Sequence, residues 1–355
     1  MKVLIHTPSL DTPGGKSNYI SILSKHLSGD VTLFVYGSKG SNEFFLTTFF
    51  RLIGDFIRFN RVIREGSYDL VHLNPSLNPK SYFRDSVFAW ITKYQRKKLL
   101  VFWHGWRWSF DKRIVQKSLP FFHWTFGRAD AMIVLANDFE IRLRTYGFER
   151  PIFKETTVVE EANFNIEIPN DYSLKKNILF ISRIQREKGI YETVDAFRMI
   201  QDRFPDIHLK FAGVGGDLED LKDYVSRQEI TRVEFLGWIS GAEKLKCYRE
   251  THTFVLASYY GEGMPCAILE AMASGLPVLT TRVGGVSDFF EDGKMGFLVE
   301  QRDAQSLSEK MQEILSDKDL AQKIGVYNRD YARMRFAPGK VASRIQVIYQ
   351  KVCQE

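Results

Sequence analysis

The sequence predicts an α/β protein made of two doubly wound halves, each a parallel sheet flanked by helices. Three observations carry this. At 355 residues the chain exceeds what one hydrophobic core usually organises, so two domains of ordinary size are expected. Short runs of β-branched and aromatic residues alternate along its length with stretches of helical period. A polar segment containing Pro169, EEANFNIEIPNDYS over 160–173, separates two such series and reads as an interdomain linker.

In the first series the strand candidates are Lys2–Thr7, Val31–Val35, Leu70–Leu73, Leu99–His104 and Ala131–Leu135. After the first of them Tyr19, Ile22, Leu23, His26 and Leu27 fall on one helical face. The second series has strands at Asn177–Ser182, His208–Ala212, Val233–Leu236, Thr253–Ala257, Pro277–Thr281 and Gly296–Val299. Helical patterns intervene at Tyr191–Arg203, Leu218–Gln228 and Pro265–Ala273, and from Ala304 onward the pattern is helical, interrupted at Pro338 and Gly339. Ligands of doubly wound sheets sit at the carboxyl ends of the strands, so the loops there are the places to look for chemistry.

Composition narrows the function classes. Hydrophobic residues make up 44% and charged residues 26%, values of a globular protein. Three cysteines (Cys247, Cys266 and Cys353) form no metal-type pair and no disulfide framework, which favours a reduced, cytoplasmic setting. No run approaches the roughly 18 uncharged apolar residues of a membrane span. The net charge of +6 is uneven: residues 1–170 hold 23 Lys and Arg against 16 Asp and Glu, and the remainder is nearly neutral. Two basic aromatic segments lie in that half, Phe44–Arg64 and Tyr82–Tyr94, the latter followed by Arg96, Lys97 and Lys98. Each reads equally as a domain helix with inward aromatics or as a helix that rests on an anionic membrane surface. Nucleic acid is not expected, because no binding motif accompanies the charge.

Four stretches could carry chemistry. The most informative is ASYYGEGMPCAILEAMASGLP, residues 257–277. A strand ends near Ala257, a loop carries Glu262 and Gly263, and Pro265 suits a first helical turn. Free N–H groups at that helix start favour an anion such as a diphosphate. Glu270 in the second turn suits a ribose diol and Glu262 a hexose, since a carboxylate accepts from two adjacent hydroxyls. By spacing alone, two solvated glutamates on an ordinary strand–helix–strand unit fit as well. In FISRIQREKG, residues 180–189, Arg183 and Lys188 flank a turn where two cations would oppose a diphosphate leaving group; a solvated charged turn is the alternative. The loop Pro13, Gly14, Gly15, Lys16 permits close backbone approach to a phosphate or sugar. His104, in FWHGW at a strand end, is a single histidine that is either structural or placed to orient a hydroxyl or relay a proton.

Glu262 and Glu270, followed by Ala-Met-Ala-x-Gly-x-Pro-Val and TTRVGGVSDFFEDGKMGFLV, resemble the Glu-x7-Glu region of the family-4 retaining glycosyltransferases, which have the GT-B fold. Arg183 and Lys188 resemble that family's diphosphate clamp. Gly14 and Gly15 match its first-domain glycine loop, and His104 its active-site histidine. Gly213, in Gly213-Val-Gly-Gly216, is similar to its Gly-x-Gly stretch near the nucleotide, although Leu218 breaks a dinucleotide fingerprint. The resemblance spans the chain, strongest over 177–300. It implies two Rossmann-like domains facing a central cleft: an acceptor domain over 1–165 joined by a terminal helix 340–355, and a donor domain over 174–339. It implies His104, Arg183, Lys188 and Glu262 as catalytic residues. Gly14, Gly15, Gly213, Gly263, Met264, Pro265, Cys266 and Glu270 would bind the donor.

The implied reaction moves a sugar, with retention, from a nucleoside-diphosphate sugar to an acceptor hydroxyl. No cofactor and no metal is expected. The Asp317-Lys-Asp319 triplet reads as a solvated turn rather than the metal-binding Asp-x-Asp of the other glycosyltransferase fold. The basic first half favours a glycan or lipid-linked glycan acceptor in bacterial surface-polysaccharide assembly, on the inner face of the membrane. Two rivals share the architecture, a nucleotide-sugar epimerase and a non-catalytic partner subunit.

Overall fold

The computed structural model describes residues 1–11, 14–37, 45–169, 172–261 and 263–354. Its chain forms two compact units, one of residues 1–158, 261–264 and 338–355, the other of residues 159–260 and 265–337.

The first unit holds six strands: β1 (Lys2–Pro8), β2 (Asp30–Tyr36), β3 (Leu70–Leu73), β4 (Lys98–Trp103), β5 (Ala131–Val134) and β6 (Ile152–Lys154). They pair in the order β2-β1-β3-β4-β5-β6, every neighbour parallel. Helices on both faces bury the sheet, so the inner strands read as continuous apolar runs rather than alternating ones. Val3, Leu4 and Ile5 are buried together, as are Leu99 to Trp103. Strand order reverses between β1 and β3, which leaves a crevice at their carboxyl ends. The helix Pro338–Gln354 belongs to this unit and sinks Val341, Ile345 and Tyr349 into its core. Tyr349 also bonds through its hydroxyl to Nδ1 of His72 on β3, at 2.7 Å.

The second unit repeats the plan with β7 (Asn177–Ile181), β8 (His208–Ala212), β9 (Val233–Gly237), β10 (Thr251–Leu256), β11 (Val278–Thr280) and β12 (Gly296–Leu298). Their order is β12-β11-β10-β7-β8-β9, again all parallel, with the reversal between β7 and β10. Eleven strands start or end within two residues of their expected bounds. β6 was not expected, nor was the helix Gly241–Glu250.

The described residues of 160–173 belong to the second unit and are not a linker. The helix Glu161–Phe164 buries Asn163 and Phe164, and Asn163 donates to Ser274 Oγ at 3.2 Å. Arg329 holds the carbonyl of Ile166, and the Tyr172 hydroxyl donates to the carbonyl of Gly275. Asn163 and Tyr172 thus bond within the second unit, while Glu161, Asn165 and Glu167 stay exposed.

The two basic aromatic segments differ from each other. In the helix Pro79–Tyr94, Tyr82, Phe88 and Ile91 are buried, and Asn78 caps its start by accepting from Ser81 N at 3.0 Å. That segment packs one face into the core and leaves Phe83 and Tyr94 exposed. Among the described side chains of the helix Phe45–Glu65 only Asp55, Phe59 and Ile63 are buried, while Phe49, Phe50, Ile53 and Ile57 stand exposed, as do Arg61 and Arg64. Phe44 lies outside the described residues. No described helix is long and apolar enough to cross a membrane.

Candidate functional site

The reversal in the second sheet brings together the loops after β7 and β10. Arg183 and Lys188 sit on the first of these, and the guanidinium of Arg183 and the ammonium of Lys188 lie 5.9 and 4.7 Å from the centre of one ring, Tyr260 on the second loop. Arg183 is exposed and Lys188 buried. The two loops are tied through the carbonyl of Glu187, which accepts from Tyr259 N at 2.9 Å and from Tyr260 N at 3.1 Å. Gly189 makes the approach possible. Its φ is +77°, and a Cβ there would lie 2.2 Å from the carbonyl oxygen of Ala257. Both cations are thus within cation–π range of one ring.

The loop after β10 continues into the helix Cys266–Ala273, with Pro265 as N-cap rather than inside the first turn. The helix closes on Gly275, whose N–H donates to Met272 O, and Leu276 N donates to Ala271 O, the paired bonds of a Schellman end. Ile268, Leu269 and Met272 are buried, as their spacing required. Glu270 lies in this helix and is almost wholly buried, 6% exposed. Its two oxygens are held by residues that sequence reasoning missed: Lys244 Nζ at 2.9 Å on Oε1 and Tyr248 hydroxyl at 2.9 Å on Oε2. Burial opposes the charge on Lys244, but the adjacent Glu270 carboxylate outweighs it and holds the ammonium above its usual range. Each carboxylate oxygen has a second lone pair, so the pair leaves Glu270 able to accept further hydrogen bonds.

Gly213 and Gly215 have a local reason to be glycine. A Cβ on Gly213 would fall 1.9 Å from the Ser182 carbonyl oxygen, and one on Gly215 2.0 Å from that of Ile184. They let the loop after β8 lie against the loop that bears Arg183, and Ile184 N donates to Val214 O at 3.1 Å. Asp217 completes the contact by accepting from Arg186 N at 2.6 Å. Asp317 and Asp319, the triplet read as a turn, open a helix: the Asp317 side chain caps it by accepting from Leu320 N at 2.9 Å.

In the first unit the crevice between β1 and β3 gathers Gly14, Gly15, Lys16, Asn74 and His104. Gly14 precedes the helix Gly15–Ser24, and both glycines are exposed; Pro13 lies outside the described residues. Lys16 Nζ donates to the carbonyl of Asn74 at 2.7 Å, and His104 Nε2 meets Asn74 Oδ1 at 2.8 Å. Burial pushes His104 well below the usual imidazole range, helped by the nearby positive charge of Lys16. Burial also brings Lys16 down to about 8. Asn74 carries no sequence signal, because its partners are 58 and 30 residues away. The loop 261–264 belongs to this unit. Gly263 lies so close that a Cβ would stand 3.0 Å from the His104 carbonyl oxygen, and Met264 packs against the first core. Glu262 lies outside the described residues.

With this geometry in view, comparison with known proteins is direct. Residues 162–331 match the family model of glycosyl transferases group 1. That stretch, just under half of the chain, is similar to a group 1 glycosyl transferase domain. It is 28% identical over 186 residues to spore coat protein SA of Bacillus subtilis, covering 50% of this chain and 49% of that one. It is 27% identical over 181 residues to the capsular polysaccharide biosynthesis glycosyltransferase CapM of Staphylococcus aureus, covering 50% and 46%. The chain thus spans about half the length of these relatives. Among solved structures, Anabaena Alr3699/HepE in complex with UDP and glucose superposes with a TM-score of 0.76 at 18% identity, covering 99% of this chain and all of that one. Sucrose-phosphate synthase from Thermosynechococcus elongatus gives 0.74 at 20% identity, with 99% of both covered. The two parallel six-stranded sheets with flanking helices are therefore those of the GT-B fold.

Proposed function

We propose that the protein is a retaining glycosyltransferase that moves a sugar from a nucleoside diphosphate to an acceptor hydroxyl. The observation that carries this reading is the pair Arg183 and Lys188 over the Tyr260 ring, on a loop that runs into the helix start at Cys266. Two cations beside the positive end of that helix suit a diphosphate, above all one that gains charge as it leaves. Glu270, pre-set by Lys244 and Tyr248, accepts from the ribose hydroxyls, and Glu262 accepts from the sugar ring.

In the step itself the bond from the sugar's anomeric carbon to the β-phosphate oxygen breaks. The bond to the acceptor oxygen forms on the same face. The acceptor's proton passes to the departing phosphate, and the nucleoside diphosphate leaves. Arg183 and Lys188 stabilise the developing charge, so no divalent metal is required. In the first unit His104 orients a hydroxyl. The acceptor is a glycan or lipid-linked glycan of the kind built in surface-polysaccharide assembly. The name of CapM supports that class, as does the exposed face of the helix Phe45–Glu65, where Phe50, Ile53 and Ile57 flank Arg61 and Arg64.

The test is a panel of nucleoside-diphosphate sugars with candidate acceptors, in chelator. Acceptor-dependent release of nucleoside diphosphate with retained configuration is expected. Release of an altered free sugar without acceptor identifies an epimerase, and binding without turnover a partner subunit; either overturns the proposal.

A further inference from the structure

The hydrogen bonds around Asn74 settle a question of chemistry that the position of His104 leaves open: which ring nitrogen carries the proton. Asn74 is fully buried at the carboxyl end of β3. Its side-chain nitrogen donates to the backbone carbonyl of His6 at 3.0 Å, and the carbonyl of His72 lies 3.5 Å from the same nitrogen. Turning the amide over would set its oxygen against both carbonyls, two buried acceptors facing a third, so the amide has one orientation. Its oxygen then faces Nε2 of His104 at 2.8 Å, and only a protonated Nε2 can meet an oxygen that has no hydrogen to give.

The ring cannot resolve the matter by taking a second proton. Its centroid lies 4.1 Å from that of the tilted Phe102 ring and 5.0 Å from that of Tyr19, and its charged neighbour is a cation, Lys16. Among the described residues Nδ1 makes no hydrogen bond. Lys16 in turn fixes the backbone of Asn74 by donating to its carbonyl. β1, the first helix, β3 and β4 are thereby joined through one residue.

We infer that Asn74 is a positioning residue that locks His104 as the neutral Nε2–H tautomer, leaving the Nδ1 lone pair as a standing acceptor for a substrate hydroxyl. The tautomer follows from the hydrogen bonds alone; its use in turnover rests on the reaction proposed above. A general acid is excluded at this position, since the ring has no proton on Nδ1 to give.

The experiment is nitrogen NMR of the full chain labelled with ¹⁵N-histidine, the His104 signals assigned by their loss in His104→Gln. In the wild type Nε2 should be pyrrole-like and Nδ1 pyridine-like, unchanged between pH 8 and 5.5. Asn74→Ala should abolish that preference and lower kcat about tenfold while leaving the donor KM within about twofold. A proton on Nδ1 of the wild-type ring overturns the inference without any variant needing to fold. An unchanged tautomer in folded Asn74→Ala overturns the role of Asn74. Full turnover in His104→Ala overturns the use of Nδ1 and leaves the tautomer assignment standing.

Discussion

Lys244 and Glu270 pair at 2.9 Å with side-chain exposures of 17% and 8%, and breaking that pair from one side should be costly. At an effective dielectric of about 20, two charges at this distance attract by roughly 6 kcal/mol before either is desolvated. Desolvation takes most of this back, so the net worth of the pair is small, but an orphaned partner keeps its penalty. In Lys244→Met the Glu270 carboxylate stays buried with the Tyr248 hydroxyl as its remaining described donor. The cost should be about 3 kcal/mol, the low end for a broken buried pair, because the lysine is partly open to solvent. For a unit of this size that lowers its Tm by roughly 6–12 °C.

Glu270→Gln removes the charge and retains the shape, so the double variant Lys244→Met/Glu270→Gln should recover at least about 1.5 kcal/mol relative to the sum of the singles. Urea unfolding of all four proteins, followed by fluorescence, gives the cycle. The lysine's range is raised in the fold, so its share of this stabilisation is present at neutral pH and is lost on strong alkalinisation. Singles that add to within about 0.5 kcal/mol would refute the argument that Glu270 is pre-set by a buried partner.

Three further outcomes are expected. Burial lowers His72 to about 3, so below its unfolded value of about 6.5 the unfolded chain takes up a proton that the fold refuses. Stability should therefore fall as pH drops from about 6.5 towards 3, and His72→Gln should remove up to about 1.4 kcal/mol per pH unit from that slope in urea titrations at pH 7, 6 and 5. Glu262→Gln should lower kcat by about ten- to a hundredfold, with donor affinity little changed, while Glu270→Gln should raise the donor KM more than it lowers kcat; steady-state kinetics reads both. Flotation should show binding to anionic vesicles that weakens with salt and is lost in Phe50→Ser/Ile57→Ser, each exposed arginine contributing about 1 kcal/mol. Equal failure to bind neutral and anionic vesicles would return that helix to an ordinary surface element.

The sheets were legible because a parallel strand buried on both faces leaves a run of apolar residues that a polar neighbour cannot mimic. β6 left no such trace: Ile152–Lys154 is three residues long and lies at a sheet edge, where its side chains are half-buried or exposed. The helix Gly241–Glu250 buries only Tyr248, so its sequence lacks an apolar stripe. Residues 160–173 misled for the opposite reason. Asn163 and Tyr172 look like solvent residues until Ser274 and Gly275, more than a hundred residues on, supply their partners. The same limit governs the sites. Arg183, Lys188 and Glu270 are candidates because each stands in a local pattern that a single chain segment displays. Asn74, Lys244, Tyr248 and Tyr260 meet them or His104 across gaps in sequence, through hydrogen bonds and ring contacts that only folding creates.

The central claim is that the cationic patch over Tyr260 receives the diphosphate of a sugar donor. Arg183→Ala, Lys188→Ala and the double variant can be compared with the wild type in calorimetric titrations with UDP and with UDP-glucose, the ligand types named for the HepE complexes, and with other nucleoside diphosphates. Each single change should weaken the binding of at least one nucleoside diphosphate by about tenfold or more, as the loss of one charge-assisted contact requires, and the double change should abolish it while the circular dichroism stays that of the wild type. Undiminished binding in the folded double variant, or no binding of any nucleoside diphosphate by the wild type, would contradict the account.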